Sequence, residues 1–420
     1  MVSRFILHSD LNNFYASVEC LYNPSIRNKA VAVVGDEDKR HGIVLAKNYI
    51  AKKYGVKTGD TVWEAKQKCL EDLVCVKANF ERYYYVSKLV KDMYREYTDK
   101  VESFGIDEAW LDVSDVVKSF NEAFNLAEKI RKRVLEEFGL TVSIGVSFNK
   151  IFAKLGSDLK KPNATTLISE DNYKDLVWGL PVSELLYVGR ATTAKLEKAG
   201  IKTIGALAKT DVGILKSLLG KNGETLWVFA NGEDKTPVKR YDDPEQIKSI
   251  GNSTTCPRNL KNDAEVRAII SVLAETVAKR LRDKKLWCST VCLSIKTDDL
   301  ISFEQMKKLE YPTNLASVIA KQCFDIFKFD WQKTVRAVGV RVTGLDNKPV
   351  QYNLFNNEQT MQKKEKFETV VDDLRGRFGY NIIKRGSVYA SKDFEEINPE
   401  GITHGIHPVS YFKPKTDNEQ

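Results

Sequence analysis

Two periods of apolar and polar positions run along the chain, and the switches between them mark out its elements. Near the N-terminus "RFILHSD" is apolar enough for a buried strand. "NNFYASVECLYN" then follows the helical period, with Phe14, Val18 and Leu21 on one face. "KAVAVVG" predicts a strand, and "GIVLAKNYIAKKYGV" starts extended and turns helical. "RYYYVSKLVKDMYREYTD" reads as a long amphipathic helix, and "VESFGIDEAWLDVS" as strand, turn, strand. A helix over "FNEAFNLAEKIRKRVLEEFG" is closed by Gly139, "LTVSIGVSFN" is a strand, and a helix over "KIFAKLGSDLKKPN" is stopped by Pro162. Strands and helices mixed in this way predict an α/β or α+β first domain.

From about residue 170 the pattern changes to short helices with a glycine turn, "LPVSELLYVGRATTAKLEKAGIKTIGALAKT". A charged stretch, "DKTPVKRYDDPEQ", reads as a linker over 234–246. Beyond it the periods predict a strand (247–255), a long helix (262–284), two strands (286–304), a helix (313–328) and a strand (334–343). That order, β-α-β-β-α-β, is the split, ferredoxin-like arrangement. After Leu345 the chain turns polar, with one more helix near 361–375.

At 420 residues the chain is long enough for two to four domains. No apolar run approaches the roughly 18 residues of a membrane span, and the N-terminus lacks the pattern of a signal peptide. The seven cysteines are scattered without a C-x-x-C pair, and there are four histidines, which points to free thiols, a cytoplasmic protein and no zinc site. Net charge is +8, and residues 247–347 hold 17 Lys/Arg against 11 Asp/Glu, so six of the eight surplus charges fall in that stretch. A basic region of this kind suits a phosphate backbone, and charge alone leaves a solvated surface equally open.

The stretch "SFGIDEAWLDVS" sets Asp107 and Glu108 side by side in an apolar run, with Asp112 following. Neighbours in a regular strand point to opposite faces, so two adjacent acids aim at one point only where the chain bends, and Gly105 permits a bend. Asp10 ends the first strand, and a sheet could bring it beside the pair. Three converging carboxylates repel one another and need cations, and an all-oxygen site suits Mg2+ or Mn2+. Spacing alone leaves unrelated surface acids as the competing reading.

Five motifs occur in order: "DLNNFYASVE", "NYIAKKYGV", "FGIDEAWLD", "SIGVSFNKIFAKLGSDLKKPN" and "LLYVGRATTAKLEKAGIKTIGALA". Together they resemble the Y-family translesion DNA polymerases, on the bacterial DNA polymerase IV and UmuC-like branch, over about residues 4–355. The resemblance implies an α+β, multidomain right hand. It sets a ferredoxin-like palm at 1–13 and 80–168, small fingers at 14–79 and a helix-hairpin-helix thumb at 169–233. The linker 234–246 leads to a β-α-β-β-α-β little finger at 247–347, then a C-terminal tail at 348–420. The implied activity is low-fidelity, template-directed addition of dNTPs to a primer 3′-hydroxyl during damage tolerance. Two Mg2+ ions, or Mn2+ in their place, would serve each site, and no separate proofreading motif is in view.

The same resemblance assigns roles. Asp10, Asp107 and Glu108 would be the catalytic metal carboxylates, with the Leu11 carbonyl as a further ligand. Tyr15 would be the steric gate that leaves no room for a 2′-hydroxyl. Phe14, Tyr15, Tyr49, Lys52 and Lys161 would line the nucleotide, although Phe14 also reads as helix core. Lys52 stands where relatives carry Arg, so a bidentate fork becomes a point charge. Ile43, Leu45 and Gly59 would roof the nascent base pair. DNA contacts would fall at Gly189, Arg190, Lys248, Arg258 and Arg336, and Tyr187 replaces the first glycine of the thumb hairpin. "QYNLF" resembles a bacterial sliding-clamp motif, with Gln351 hydrogen-bonding while Leu354 and Phe355 fill an apolar pocket. The implied partners are primer–template DNA, dNTPs and the clamp, with a monomeric enzyme and no membrane. Two other classes compete: a nucleotidyl cyclase, which can use a similar palm, and a catalytically silent DNA-binding or clamp-bound subunit.

Overall fold

The computed structural model describes residues 4–35, 42–69, 72–243, 247–347 and 358–386. They divide into two compact units, one holding 4–35 and 43–243, the other 247–347 and 358–386.

The first unit opens with β1 (Ile6–Leu11) and α1 (Phe14–Tyr22). Next come β2 (Val31–Val34), β3 (Val44–Lys47), α2 (Tyr49–Lys53), α3 (Val62–Lys68) and β4 (Val74–Lys77). α4 (Phe80–Arg95) leads to β5 (Val101–Ser103) and β6 (Glu108–Asp112). α5 (Phe120–Phe138), β7 (Val142–Ser147), α6 (Lys150–Leu159) and β8 (Thr165–Ile168) complete the α/β part. Five strands form one sheet in the order β5-β6-β1-β7-β8, and β3-β2-β4 form a small second sheet. Gly139 closes α5 at φ 65°, the left-handed C-terminal position. Sequence reading missed α3, β4 and β8. Each is seven residues or fewer, too short for its period to stand out.

The two faces of the large sheet are used differently. Leu7, Leu11, Ala109, Leu111, Val142, Ile144 and Val146 pack with α4 and α5 in one apolar cluster. Ile6, His8 and Asp10 alternate to the other face, where Ile6 and Trp110 meet Ala153 of α6. α6 comes so close that a Cβ at Gly145 would lie 1.9 Å from the Ala153 carbonyl oxygen. Glycine is therefore required there by helix–strand approach. The helices α7 (Tyr173–Val177), α8 (Arg190–Lys198), α9 (Ile204–Lys209), α10 (Val212–Leu219) and α11 (Lys221–Ala230) share a separate core built on Leu185, Leu196, Leu207 and Leu226.

Residues 234–243, read from sequence as the start of a linker, are instead laid along the α/β part. Val238 is buried beside Trp110, and Glu102 accepts from the Lys239 N–H at 2.9 Å. Arg240 pairs with Asp99 at 2.5 Å, and Arg95 stacks over the Tyr241 ring. The stretch is thus held by partners that lie far away in sequence.

The second unit contains β9 (Ser249–Leu260), α12 (Asp263–Asp283), β10 (Trp287–Thr297), β11 (Ser302–Thr313), α13 (Ala316–Ile326), β12 (Val335–Asp346) and α14 (Glu358–Phe378). Sheet order is β11-β10-β12-β9, with every neighbour antiparallel. Both β-α-β units are split: β12 lies between β9 and β10, and β10 between β11 and β12. β9 and β11 run past the predicted ends at 255 and 304, through Pro257 and Pro312. Both are edge strands, where a missing N–H can face away from the ladder. α14 docks on the helical layer through charge. Arg282 bonds Glu368 at 2.6 Å and Asp372 at 2.7 Å, and Glu368 accepts from the Ala316 N–H at 2.8 Å, at the start of α13.

Candidate active site

The antiparallel ladder of β1 and β6 places Asp10 directly opposite Glu108. Paired residues share a face, so both carboxylates emerge side by side on the α6 face of the sheet. Asp107 precedes β6 in the turn, and its carbonyl accepts the Leu11 N–H at 3.0 Å, tying the ends of the two strands together. Asp112, the third acid of the stretch, lies apart. It accepts Ser114 N–H and Oγ–H at 3.0 and 2.6 Å and serves a turn.

Two lysines from one stripe of α6 and the residues after it enter this acid cluster. Lys154 Nζ lies 2.9 Å from Glu108 Oε1 and 3.3 Å from Asp10 Oδ2, while Lys161 Nζ lies 2.7 Å from Asp10 Oδ2. Asp158 completes the network, 3.0 Å from Lys154 and 2.8 Å from Lys161. Sequence reading named Lys161 and missed Lys154. The signal was the spacing of Lys150, Lys154 and Asp158, three charges at i, i+4, i+8 on a helix otherwise packed against a sheet.

Electrostatics show how strained the acids are. Burial pushes the Glu108 carboxyl up to about 7, against the pull of Lys154, and Asp10 adds to the rise. Asp107 is raised by burial and then by Asp10. Burial alone would lower Lys154, but Glu108 and Asp10 more than offset it and hold the ammonium charged. Below them His8, fully buried, is kept neutral by burial and by the nearby lysines. Its Nδ1 lies 2.9 Å from Ser157 Oγ, which itself donates to the Lys154 carbonyl, so the imidazole is the donor in that pair.

An oxygen-only cluster of repelling, desolvated carboxylates fits a hard divalent cation, and here ammonium nitrogens stand in for its charge. Among the described residues no three acid, imidazole or thiolate side chains enclose an ion as they stand. Lys154 and Lys161 both contact carboxylates of this cluster.

Tyr15 stands beside this cluster. Burial raises its phenol, and the next cause is the charge of Asp107. Its ring stacks on Tyr83 at 4.3 Å and 11°, with Phe80 edge-on at 5.9 Å. Tyr83 is itself fixed by donating to Glu19 at 2.6 Å, and Arg82 pairs with the same carboxylate at 2.7 Å. Phe14 is 2% exposed and belongs to the core, so it offers a nucleotide almost no surface. Tyr49, at the start of α2, is raised by burial and feels Lys161 and Asp10, which sets it at the cluster's edge. Lys52 lies on its ring, 5.8 Å from the centroid.

The remaining candidates are more scattered. Ile43 bridges to Thr61, and Gly59, at φ 91°, donates to the Val44 carbonyl at 2.8 Å, so the two segments carrying the roof candidates lie side by side. Tyr187 is 66% exposed and adopts φ 69°, a left-handed position that suits glycine. Gly189 caps α8 without a side-chain bond, and Arg190 is exposed at its first turn. In the second unit Lys248 is exposed, Arg336 is half-buried in β12, and Arg258 is engaged by Glu265 at 2.8 Å. Gln351, Leu354 and Phe355 lie outside the described residues.

Comparison with known proteins agrees along most of the chain. Residues 9–158 match the impB/mucB/samB family, 247–354 match the C-terminal domain of that family, and 184–234 match a DNA polymerase-iota thumb domain. The chain is 51% identical over 400 residues to a DNA polymerase IV of Acetivibrio thermocellus, covering 94% of this chain and all of that one. It is 38% identical to DNA polymerase IV 1 of Bacillus subtilis, over 93% of this chain and 94% of the relative. Among solved structures, a Y-family DNA polymerase chimera of Dbh and Dpo4 aligns with a TM-score of 0.73 at 25% identity, over 82% of this chain and all of the chimera.

Proposed function

This chain belongs to the Y-family DNA polymerases, in the bacterial DNA polymerase IV group, and we propose that it copies damaged templates by nucleotidyl transfer at the Asp10–Asp107–Glu108 site. It is a DNA-directed DNA polymerase, with primer–template DNA and dNTPs as substrates. The cyclase alternative has no counterpart among the matched domains, all of which belong to polymerase families.

The observation that carries the site assignment is the Asp10–Glu108 register pair, with Asp107 tied to the end of the same strand. Asp10, Asp107, Glu108 and the Leu11 carbonyl would hold the divalent cations. Those ions, when bound, supply the charge that makes the primer 3′-hydroxyl nucleophilic and steadies the departing pyrophosphate. The chain's own groups do the rest. Lys161 and Lys154 bring positive charge to the edge where an anionic triphosphate would sit. Tyr49 and Lys52 border that edge from α2. Tyr15, held flat against Tyr83, closes the space under the sugar, so a 2′-hydroxyl meets a ring and not a void. Gly189 and Arg190 offer a backbone N–H and a guanidinium to phosphate without reading sequence. Lys248, Arg336 and their basic neighbours add non-specific contacts. "QYNLF" serves as a tether to the sliding clamp, and the enzyme works as a monomer.

Primer extension with Mg2+ on undamaged and lesion-bearing templates tests this reading. Ladders that run past the lesion are expected. Extension that stops at every lesion removes the translesion assignment, and no ladder on either template removes the polymerase reading of the site.

A further inference from the structure

Asp107 and Glu108 are sequence neighbours, yet both serve one site, and the turn before β6 makes this possible. The N–H groups of Phe104 and Gly105 fold back onto the Glu108 carbonyl at 3.1 and 3.4 Å. This leaves the carbonyls of Gly105 and Ile106 directed into the protein, on the side of α4. Such groups are costly unless bonded.

Two side chains one helical turn apart on α4 supply the donors. Lys91 Nζ lies 2.5 Å from the Gly105 oxygen and 3.3 Å from the Ile106 oxygen, and Ser87 Oγ also donates to Ile106. Ser87 is 0% and Lys91 2% exposed. The lysine lies in an apolar cluster, between Val90 and Met93, where a leucine or methionine would fill the same space at less cost. Its amine also lies within electrostatic range of both Asp107 and Glu108. The acid cluster is therefore served from both faces of the sheet, by Lys154 from α6 and by Lys91 from α4.

We propose that Lys91, with Ser87, is a positioning residue for the polymerase reaction: by locking the Gly105 and Ile106 carbonyls it fixes the turn that aims Asp107 alongside Glu108 and Asp10. It touches no reacting atom. The amine donates to the carbonyls whether or not it carries a charge, so the role rests on hydrogen bonding. The inference depends on Asp107 being a catalytic carboxylate, and the two fail separately. An active Asp107→Ala enzyme overturns the site reading, whereas an unaffected Lys91→Met enzyme overturns this one alone.

The test uses the full chain and the variants Lys91→Met and Ser87→Ala. Thermal melting, primer–template affinity, kcat and KM for dNTP, and Mn2+ affinity by electron paramagnetic resonance are measured below each variant's melting range. Lys91→Met is expected to lose at least tenfold in kcat and several-fold in Mn2+ affinity, with primer–template affinity within twofold of wild type. Ser87→Ala should shift the same parameters in the same direction by about threefold. A folded Lys91→Met enzyme with kcat and Mn2+ affinity within twofold of wild type overturns the proposal, as does a loss confined to DNA affinity. If Lys91→Met does not fold, Ser87→Ala decides: unchanged kcat and Mn2+ affinity overturn the proposal.

Discussion

Asp10 and Glu108 face each other across the β1–β6 ladder, and a single ammonium, Lys154 Nζ, lies 3.3 Å from one carboxylate and 2.9 Å from the other. The site thus carries its own countercharge. That relationship orders the expectations below.

Asp107→Ala and Glu108→Ala should reduce primer extension by at least a thousandfold while leaving primer–template affinity within a few-fold of wild type. In the proposed mechanism the carboxylates serve the cations, and the primer–template phosphates are contacted by other residues. Steady-state extension and a gel-shift titration check both halves. Normal turnover in Asp107→Ala would sink the mechanism.

Tyr15→Ala should admit ribonucleotides at least a hundredfold more readily, measured as the ratio of dNTP to rNTP kcat/KM. The ring lies flat on Tyr83, so its removal opens space over that ring. An unchanged ratio would show that another group excludes the 2′-hydroxyl.

Lys91 gives a pH signature of its own. Burial lowers its pKa to about 7, with Asp107 and Glu108 pulling the other way, while an unfolded lysine titrates near 10.4. Between those values the unfolded chain binds the extra proton, so the stability of the folded state rises with pH. Below about 7 both states are protonated and the full burial penalty remains. Relative to Lys91→Met, wild type should gain up to ~1.4 kcal/mol per pH unit between pH 7 and 10. Urea melts of both proteins at pH 7, 8.5 and 10 measure this gap, and a flat gap would contradict the shift.

Arg282→Ala should detach α14. It leaves Glu368 and Asp372 in the second unit without their guanidinium, and breaking a buried pair costs on the order of 3–5 kcal/mol. Hydrogen exchange should rise across 358–386 while β10 and β12 stay protected. Unchanged protection in α14 would mean that apolar contact, not charge, holds the helix.

Replacing Gln351, Leu354 and Phe355 by Ala should leave extension on a bare primer unchanged and remove the gain in product length on loading the organism's clamp. A tether raises effective concentration without adding a DNA contact. A full response to the clamp in the triple variant would place the contact elsewhere.

How much of this was legible in the chain itself varies with the distance over which each feature is decided. Helix and strand order could be read because apolar period, Gly139 and Pro162 act on their own neighbours' backbone angles and faces. The motifs around Asp10, Tyr15 and Asp107 could be read for the same reason, since each is continuous in sequence. The edge-strand status of β9 and β11 could not, and both strands run past their predicted ends, through Pro257 and Pro312. Nor could the register that sets Asp10 against Glu108, the arrival of Lys154 between them, or the support of the Asp107 turn by Lys91 and Ser87. Residues 234–243 looked like a free linker because their partners, Asp99, Glu102 and Trp110, are more than a hundred positions away. Strand order and side-chain pairing are chosen by which distant surfaces bury apolar area and satisfy polar groups together. That choice belongs to the folded chain, and here it turns three scattered acids into one site.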